Sequence, residues 1–275
     1  MLSKFNSFLR DVGAFGFWTA VKVFVYRRRG HGFGGGDLKE GEAPIVVRAG
    51  VFGPVSIRFG DSDWYVVRQV LRDREYDFPG ARCREVVEKG YEAILKKGKT
   101  PVIVDAGANI GISAVWFHSV FPQAMIVALE PDKANASVAR ANTSQIGNVR
   151  VVEAAIGSQS GFVSLSNSSD SDQSWAVTTE RAVTGIPVMT IPDATDLVPN
   201  GEIFLVKVDI EGFEEDLFSA NLDWIDQSVA IFVEPHDWLF PGRRTSRPLQ
   251  KAFGSRDFDV YLSGENLLFV NGAVR

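Results

Sequence analysis

Two short motifs combine residue types that can bind a small charged cofactor. The first is Asp105-Ala-Gly107-Ala-Asn109-Ile-Gly111, and the second is Leu129-Glu130-Pro131-Asp132. Glycines let the backbone turn sharply and approach a ligand, and a following helix would add free N–H groups. A carboxylate after the next strand can accept hydrogen bonds from both hydroxyls of a ribose. The motifs therefore predict a nucleoside cofactor site comprising Asp105, Gly107, Asn109, Gly111, Glu130, Pro131 and Asp132.

The spacing of the glycines argues against a dinucleotide. The fingerprint of those sites is Gly-x-Gly-x-x-Gly, whereas this motif has Gly107 and Gly111 with Asp105 at the strand end. A carboxylate would repel a pyrophosphate but attract the ammonium group of a methionine moiety. The motif thus favours S-adenosylmethionine over NAD. The alternative is that Asp105 caps the loop and Glu130 is a solvated acid at a strand end.

A second group of residues could act on an acceptor hydroxyl. Asp209 ends a predicted strand, and Glu234 and His236 follow the next one. A hydroxyl acceptor benefits from a base or a metal that lowers its pKa, and histidine exchanges a proton near neutral pH. We predict Asp209 and His236 as catalytic residues. Asp209, Glu234 and His236 also form a ligand set that suits a hard divalent ion such as Mg²⁺.

Each of these assignments has a structural alternative. Asp209 could cap a helix that begins near Glu211, and His236 could be a surface residue in a loop. Residues 238–242 contain aromatic side chains that could cover an acceptor or simply anchor the loop. The basic residues at 243, 244 and 247 could bind a phosphate or carboxylate of the acceptor, or form a solvated face.

Alternating strands and helices must position these motifs. Apolar runs bounded by turn residues predict parallel strands with helices between them, and the last two strands predict an antiparallel hairpin. The predicted strands are 101–105, 124–130, 149–154, 203–209, 229–234, 258–262 and 267–270, and the predicted helices are 82–97, 111–120 and 132–144. Because ligands bind outside the carboxyl ends of parallel strands, one crevice would contain Asp105, Glu130, Asp209 and Glu234.

We divide the chain into a basic helical extension with a glycine-rich linker (1–36), a β-rich lead-in with a helix (37–98) and a catalytic domain (99–275). Segments 45–48, 55–59 and 64–70 read as short strands. Residues 1–31 carry a net charge of +5 and apolar residues at helical spacing. This extension either packs on the main domain or docks on an anionic membrane with the help of Phe17 and Trp18. Residues 166–174 predict a mobile polar loop.

The composition narrows the class of protein. The net charge is −5, which argues against a nucleic-acid partner. The one cysteine, Cys83, allows neither an intramolecular disulfide nor a Cys-x-x-Cys metal site, and a reducing cytoplasmic location is the simplest interpretation. No early segment predicts a signal peptide or a membrane span.

Four stretches resemble the FkbM-type methyltransferase family. They are 104–111, Glu130-Pro-Asp132 with Asn142, Ala154-Ala-Ile-Gly157 with Gly161, and Val206-Lys-Val-Asp-Ile-Glu-Gly212 with Glu214. The resemblance spans roughly residues 45–270 and includes Phe59-Gly-Asp-Ser-Asp63, Gln69-Val70 and Glu75-Tyr76 upstream.

Membership in this family would imply a class I, Rossmann-like α/β fold with a mostly parallel central sheet. It would also imply S-adenosylmethionine as the methyl donor. The acceptor is then expected to be a hydroxyl of a carbohydrate, glycolipid or secondary metabolite. The alternative is an inactive scaffold with this fold, recruited to membranes by its N-terminal helix.

Overall fold

The computed structural model describes residues 2–30, 44–58, 62–167 and 177–274. Most of the predicted linker and polar loop, and residues 59–61 of the upstream motif, therefore lie outside the described residues. In chain order the strands are β1 (Ile45–Arg48), β2 (Pro54–Ile57), β3 (Thr100–Ala106), β4 (Met125–Leu129), β5 (Val149–Val152), β6 (Ala155–Ile156), β7 (Gly161–Asn167), β8 (Val177–Ala182), β9 (Ile186–Met189), β10 (Gly201–Val208), β11 (Ala230–Val233), β12 (Phe258–Ser263) and β13 (Asn266–Asn271).

The α-helices of the described residues follow the same order. They are α1 (Leu2–Phe15), α2 (Phe17–Gly30), α3 (Asp63–Val67), α4 (Gly80–Lys96), α5 (Ile112–Val120), α6 (Lys133–Thr143), α7 (Ile191–Asp196), α8 (Glu214–Leu217), α9 (Asp223–Gln227) and α10 (Arg247–Phe253). Within the described ranges, no helix combines the length and apolarity needed to cross a membrane.

A seven-stranded sheet with the order β12-β13-β11-β10-β3-β4-β5 organises the molecule. β13 runs antiparallel to both of its neighbours, β11 and β12, and it pairs with β12 as the predicted hairpin. From the central strand β3 the chain proceeds to β4 and β5 on one side, and later to β10 and β11 on the other. This reversal places a crevice at the carboxyl ends of β3 and β10, as open parallel sheets require. The predicted α/β fold class is confirmed.

The lead-in shares a hydrophobic core with the sheet. Val47 of β1, Val67 of α3 and Val87 of α4 belong to the same buried cluster as Ile103 and Phe232 of the sheet. A second buried cluster covers the opposite face of the sheet. Strands β3 and β11 are apolar on both sides, so both faces of the sheet must be covered. Residues 44–98 cover one of these faces.

The prediction of a strand at 64–70 is wrong. This segment is α3, which continues as a π-helical turn over Arg68–Arg72. Its β-branched residues favour a strand, but Trp64, Val67, Val70 and Leu71 recur at helical spacing and are all buried. Burial of this face outweighs the intrinsic preference, since β-propensity is weak compared with packing.

A second sheet with the order β6-β9-β7-β8 was not predicted from the sequence. Its inner face buries Ala155, Val163 and Val188 against Phe213, which follows the motif at the end of β10. Arg181 of β8 also donates to Asp216 of α8, with 2.7 Å between Nη2 and Oδ2. The sheet thus supports the segment that carries the Asp209 motif.

The N-terminal extension forms two helices that are separated at Gly16, whose φ is +85°. Asp11 lies between Arg68 and Arg72, with its Oδ1 3.2 Å from Arg68 Nε and 2.5 Å from Arg72 Nη1. Thr19 donates a hydrogen bond to the carbonyl of Arg48. The extension therefore packs on the lead-in, as one of the two interpretations predicts. Membrane contact stays a prediction, and Phe17 and Trp18 remain 54% and 80% exposed.

Candidate functional site

The loop after β3 lies beside the end of β4 and is in van der Waals contact with the end of β10. The N–H groups of Gly107 and Ala108 both donate to the carbonyl of Leu129. Gly107 has a φ of +77°, and a Cβ at this position would lie 1.8 Å from the Asp209 carbonyl oxygen. Only glycine fits here, because the loop and the β10 end are in direct contact. The glycine thus joins the two halves of the crevice.

Asp105 lies inside the protein rather than at the surface of the crevice. Its side chain is 0% exposed, and Oδ2 accepts a hydrogen bond of 2.6 Å from Ser113 Oγ at the start of α5. Its other oxygen faces Lys207 Nζ at 3.4 Å. These contacts hold the start of the loop, and contact between Asp105 and a cofactor ammonium stays a prediction.

Lys207 is a central residue that sequence reasoning missed. It is 2% exposed, and Nζ lies 2.6 Å from the Gly107 carbonyl oxygen and 3.4 Å from Asp209 Oδ2. Burial opposes its charge, but the carboxylates of Asp209 and Asp105 outweigh that cost and raise its pKa. The signal was present in the sequence, because Lys207 and Asp209 are two apart on a strand and therefore share a face.

Glu130 is held by the backbone at the end of β4. Oε2 accepts from the Asn109 N–H at 2.8 Å, and Oε1 accepts from the Asp132 N–H at 2.9 Å. The residue is 6% exposed, so the alternative of a solvated acid is wrong. Burial raises the pKa of Glu130 to about 7, although both backbone donors favour the ionised form. A carboxylate offers about four acceptor positions, so two remain for ribose hydroxyls.

The neighbouring motif residues shape the same loop. Asp132 caps α6 by accepting from the Asn135 N–H. Asn109 has a φ of +49°, which lets its N–H point at Glu130. Asn142 of α6 donates to the Ile110 carbonyl and accepts from the Ser56 N–H, so it ties the cofactor loop to β2. The Glu130 carboxylate and the backbone of this loop are groups that could hold a nucleoside.

His236 lies at the opposite end of the crevice, after β11. It is 4% exposed, so the alternative of a surface histidine is wrong. Nδ1 is 2.9 Å from Glu214 Oε1 and must carry the proton, because a carboxylate can only accept. Nε2 lies 3.7 Å from Asp209 Oδ1 and 3.6 Å from Glu234 Oε1. The structure thus brings the predicted Asp209, Glu234 and His236 together.

Glu214 is the second functional residue that sequence reasoning missed. Its side chain is 2% exposed, and Oε1 lies 2.9 Å from His236 Nδ1, a contact that orients the His236 ring. Asp209 does not cap this helix either, because the residue before α8 is Phe213 and no side chain caps it. Within the sequence, only the resemblance to the family drew attention to Glu214.

Neighbouring charged groups change the pKa values of His236 and Glu234. Burial opposes a charged His236, but the hydrogen bond and charge of Glu214, with Asp209 and Glu234, raise its pKa to about 9. Burial and the charge of Asp209 raise the pKa of Glu234. Strongly shifted groups in a crevice are typical of sites that move protons.

Three carboxylates continue the site toward the lead-in. Glu75, Glu234 and Glu265 bring carboxylate oxygens within 4.8 Å of one another, and Gln69 donates to Glu265. Burial raises the pKa of Glu75 above its ordinary value. This wall of carboxylates offers hydrogen-bond acceptors, and Glu234 joins it to the cluster around His236.

The aromatic residues in the loop after His236 have different environments. The Phe240 ring packs on Gly212, where a Cβ would approach Phe240 Cε2 to 2.3 Å, so this ring anchors the loop. Trp238 is about half exposed, with its ring centroid 6.2 Å from that of His236. Asp237 accepts from Thr245 Oγ1 and the Ser246 N–H, which closes the loop.

This arrangement can be compared with known protein families. Residues 105–248, just over half of the chain, match the model of the methyltransferase FkbM domain. The chain belongs to this family. The match begins at Asp105 and includes Glu130, Asp209, Glu214 and His236. Membership confirms the family that the motifs resemble, and with it S-adenosylmethionine-dependent methyl transfer as the class of reaction.

Individual relatives are more distant. The 2-O-methyltransferase NoeI of Sinorhizobium fredii is 25% identical over 182 residues, which cover 59% of this chain and 74% of NoeI. Among solved structures, a putative O-methyltransferase from Klebsiella pneumoniae is 13% identical with a TM-score of 0.39, covering 71% of this chain and 84% of that one. The O-methyltransferase TomG from Streptomyces achromogenes, in complex with SAM, is 14% identical with a TM-score of 0.38, covering 77% of this chain and 91% of TomG.

Proposed function

We propose that this protein is an S-adenosylmethionine-dependent O-methyltransferase that acts on a hydroxyl of a carbohydrate, glycolipid or other polyhydroxylated metabolite. The observation that carries this proposal is the buried Glu214–His236 pair, whose Nε2 faces Asp209 at the carboxyl edge of the sheet. It lies across the crevice from Glu130, in a chain of the FkbM methyltransferase family.

The cofactor half would bind through Glu130 and the loop from Gly107 to Gly111. We assign the ribose hydroxyls to the remaining acceptor positions of Glu130. Asp105, Lys207 and Asn142 would hold the loop in place without touching the ligand. When bound, S-adenosylmethionine supplies an electrophilic methyl group on its sulfonium.

His236 would act as the general base toward the acceptor hydroxyl. Nε2 would take the proton of the hydroxyl as the methyl group passes from the sulfonium to the oxygen and S-adenosylhomocysteine is released, and Glu214 would stabilise the imidazolium that results. Asp209 would orient the hydroxyl. The ammonium group of Lys207 would partly neutralise the negative charge of Asp209. Positioning of the two reactants contributes much of the rate in such a transfer.

A divalent ion fits the same residues. Asp209, Glu234 and His236 offer three ligand atoms within 4.8 Å of one another, and a histidine whose other nitrogen donates to a carboxylate is a common metal ligand. An ion such as Mg²⁺ held there would act as a Lewis acid on the acceptor oxygen. Activity with and without a chelator decides whether His236 serves as a base or as a ligand.

The choice of a hydroxylated acceptor has two supports. NoeI, the relative named above, is a 2-O-methyltransferase. The wall formed by Glu75, Glu234 and Glu265 presents acceptors to a hydroxyl-rich ligand. A small molecule or glycan is the partner that such a crevice suits.

Calorimetry tests the cofactor assignment first. We expect S-adenosylhomocysteine to bind in the micromolar range and NAD not to bind, because the loop lacks the dinucleotide glycine pattern. Transfer of labelled methyl groups to a panel of glycans then tests the acceptor. Absence of binding by S-adenosylhomocysteine, with metal and glycans present, would overturn the enzyme assignment in favour of the inactive scaffold.

A further inference from the structure

A cavity of about 710 Å³ lies behind the loop that carries His236. Its charged lining residues are Arg243, Arg244, Arg247, Lys251, Arg256 and Glu215. Residues 242–256 contain five cationic side chains and no acid, in a chain whose net charge is −5. The local charge therefore reverses that of the whole protein, and the reversal coincides with a concave surface.

In the part of the chain that the structure describes, most of these cations form no ion pair with an acid. Among the ion pairs of the described residues, none includes Arg243, Arg244, Arg247 or Lys251, whereas Arg256 pairs with Asp226 at 2.9 Å. Other arginines of the protein, such as Arg58 and Arg181, lie 2.8 Å and 2.7 Å from an aspartate. Convergent cations repel one another, so an anion that binds among them is favoured.

The cavity is connected to the catalytic loop. Arg244 and Arg247 also line a smaller neighbouring cavity of about 310 Å³ together with Asp237, the residue after His236. Arg243 stacks on the Phe240 ring, with 5.1 Å from its guanidinium carbon to the ring centroid, and Phe240 packs on Gly212. An anion in the cavity would therefore contact the loop that positions the base.

We propose that this cavity binds a phosphate or diphosphate group. Arginine matches phosphate geometry through paired N–H donors, and the volume admits two phosphoryl groups with part of the molecule they belong to. The proposal concerns binding alone and does not depend on methyl transfer. That the group belongs to the acceptor rests on the proposed function.

Calorimetric titration of the full chain with sodium pyrophosphate tests the site. A triple variant, Arg244→Gln with Arg247→Gln and Lys251→Gln, should weaken binding by about tenfold or more, since each charge-assisted contact is lost. The matched control removes three positive charges from the exposed face of α4 through Arg82→Gln, Lys89→Gln and Lys96→Gln. It should bind pyrophosphate within about twofold of the parent protein, because these charges are remote from the cavity.

The outcomes separate the possibilities. No binding by the parent protein at millimolar pyrophosphate, or equal losses in both triple variants, would overturn the site. Should the cavity variant unfold, the single variant Arg247→Gln decides by the same titration. A parallel titration with UDP-glucose shows whether the bound diphosphate is free or part of a larger molecule. Tighter binding of UDP-glucose than of pyrophosphate would indicate a diphosphate that belongs to a larger acceptor. Failure of S-adenosylhomocysteine to bind would leave the pyrophosphate result intact, so the two proposals fail separately.

Discussion

Both halves of the crevice contain acidic residues, but different groups hold those acids in place. On the cofactor side, the Glu130 carboxylate is held by two backbone N–H groups, and Asp105 by Ser113. On the acceptor side, Asp209 and Glu234 face the single imidazole of His236 at 3.7 Å and 3.6 Å. In the first half the carboxylates are held by hydrogen-bond donors, whereas in the second half they share one imidazole whose pKa is raised to about 9.

Under the proposed function, this difference would separate cofactor binding from the chemistry on the acceptor. Backbone N–H donors do not change their protonation state with pH, so they offer the same hydrogen bonds to Glu130 under all ordinary conditions. Groups that shift one another's pKa can exchange a proton within an accessible pH range. If the comparison is right, changes on the cofactor side should alter affinity, and changes on the acceptor side should alter turnover and its pH dependence.

The largest effect is expected for His236→Ala. Loss of a general base typically lowers turnover by about 10²- to 10⁴-fold, while the affinity for S-adenosylhomocysteine should change by less than about twofold. The matched control is His118→Ala on α5, which should retain turnover. Parallel measurement of turnover and calorimetric affinity makes the check, and a large loss of affinity in His236→Ala would contradict the division of roles.

Glu130→Gln should act on affinity instead. Replacing a charged acceptor of ribose hydroxyls should weaken S-adenosylhomocysteine about 10- to 100-fold, with turnover at saturation nearly unchanged. Since the pKa of Glu130 is raised to about 7, binding to the parent protein should strengthen as the pH rises through that value, because the carboxylate is the accepting form. Glu153→Gln, an exposed acid that pairs with Arg140, is the control. Unchanged affinity in Glu130→Gln would remove the ribose assignment.

Glu214→Gln should shift the pH profile rather than abolish activity. His236 must lose its proton to act as a base, and its pKa of about 9 means that kcat/KM of the parent protein rises as the pH increases through 9. Removing the Glu214 charge lowers that pKa, so the rise should move to lower pH, with up to about a tenfold loss at the plateau. A profile that stays in place would show that another group titrates. Glu92→Gln on α4 controls for the loss of one acid.

The smallest effect concerns the N-terminal helices. Phe17→Ser with Trp18→Ser should reduce co-sedimentation with anionic liposomes by a few-fold, because these exposed aromatic side chains would enter the interface. Leu262→Ser removes a comparably exposed apolar residue from β12 and should not. Equal sedimentation of all three proteins would leave only the packing role that the structure shows for the extension.

The same division explains which parts could be predicted from sequence. The cofactor half is local: Asp105 to Gly111 and Glu130 to Asp132 each form one turn, so strand, turn and helix signals coincide within a few residues. The acceptor half is assembled over distance, because Glu214 reaches His236 across 22 positions and Lys207 reaches Gly107 across 100. Residue types there predicted Asp209 and His236, but their partners arise from tertiary contacts.

The errors in the predicted fold also lie where the local sequence signal is weak or is outweighed by tertiary packing. Residues 63–72 form a helix because packing against the core outweighs the preference of their β-branched side chains. The second sheet escaped prediction because β7 and β8 are largely polar and flank the predicted polar loop, while β6 has only two residues. The long apolar strands β3 and β10 carried an unambiguous signal.

The amide of Asn142 has a consequence for how small a working fragment of this protein can be. This side chain bridges the Ser56 backbone in the lead-in and the Ile110 carbonyl in the cofactor loop. A fragment starting at residue 99, where the sequence changes to alternating strands and helices, would leave that amide without its lead-in partner, and would uncover the sheet face that α3 and α4 protect. We therefore expect the smallest part of this protein that folds alone to begin before β1, well ahead of residue 105, where the family model begins to match.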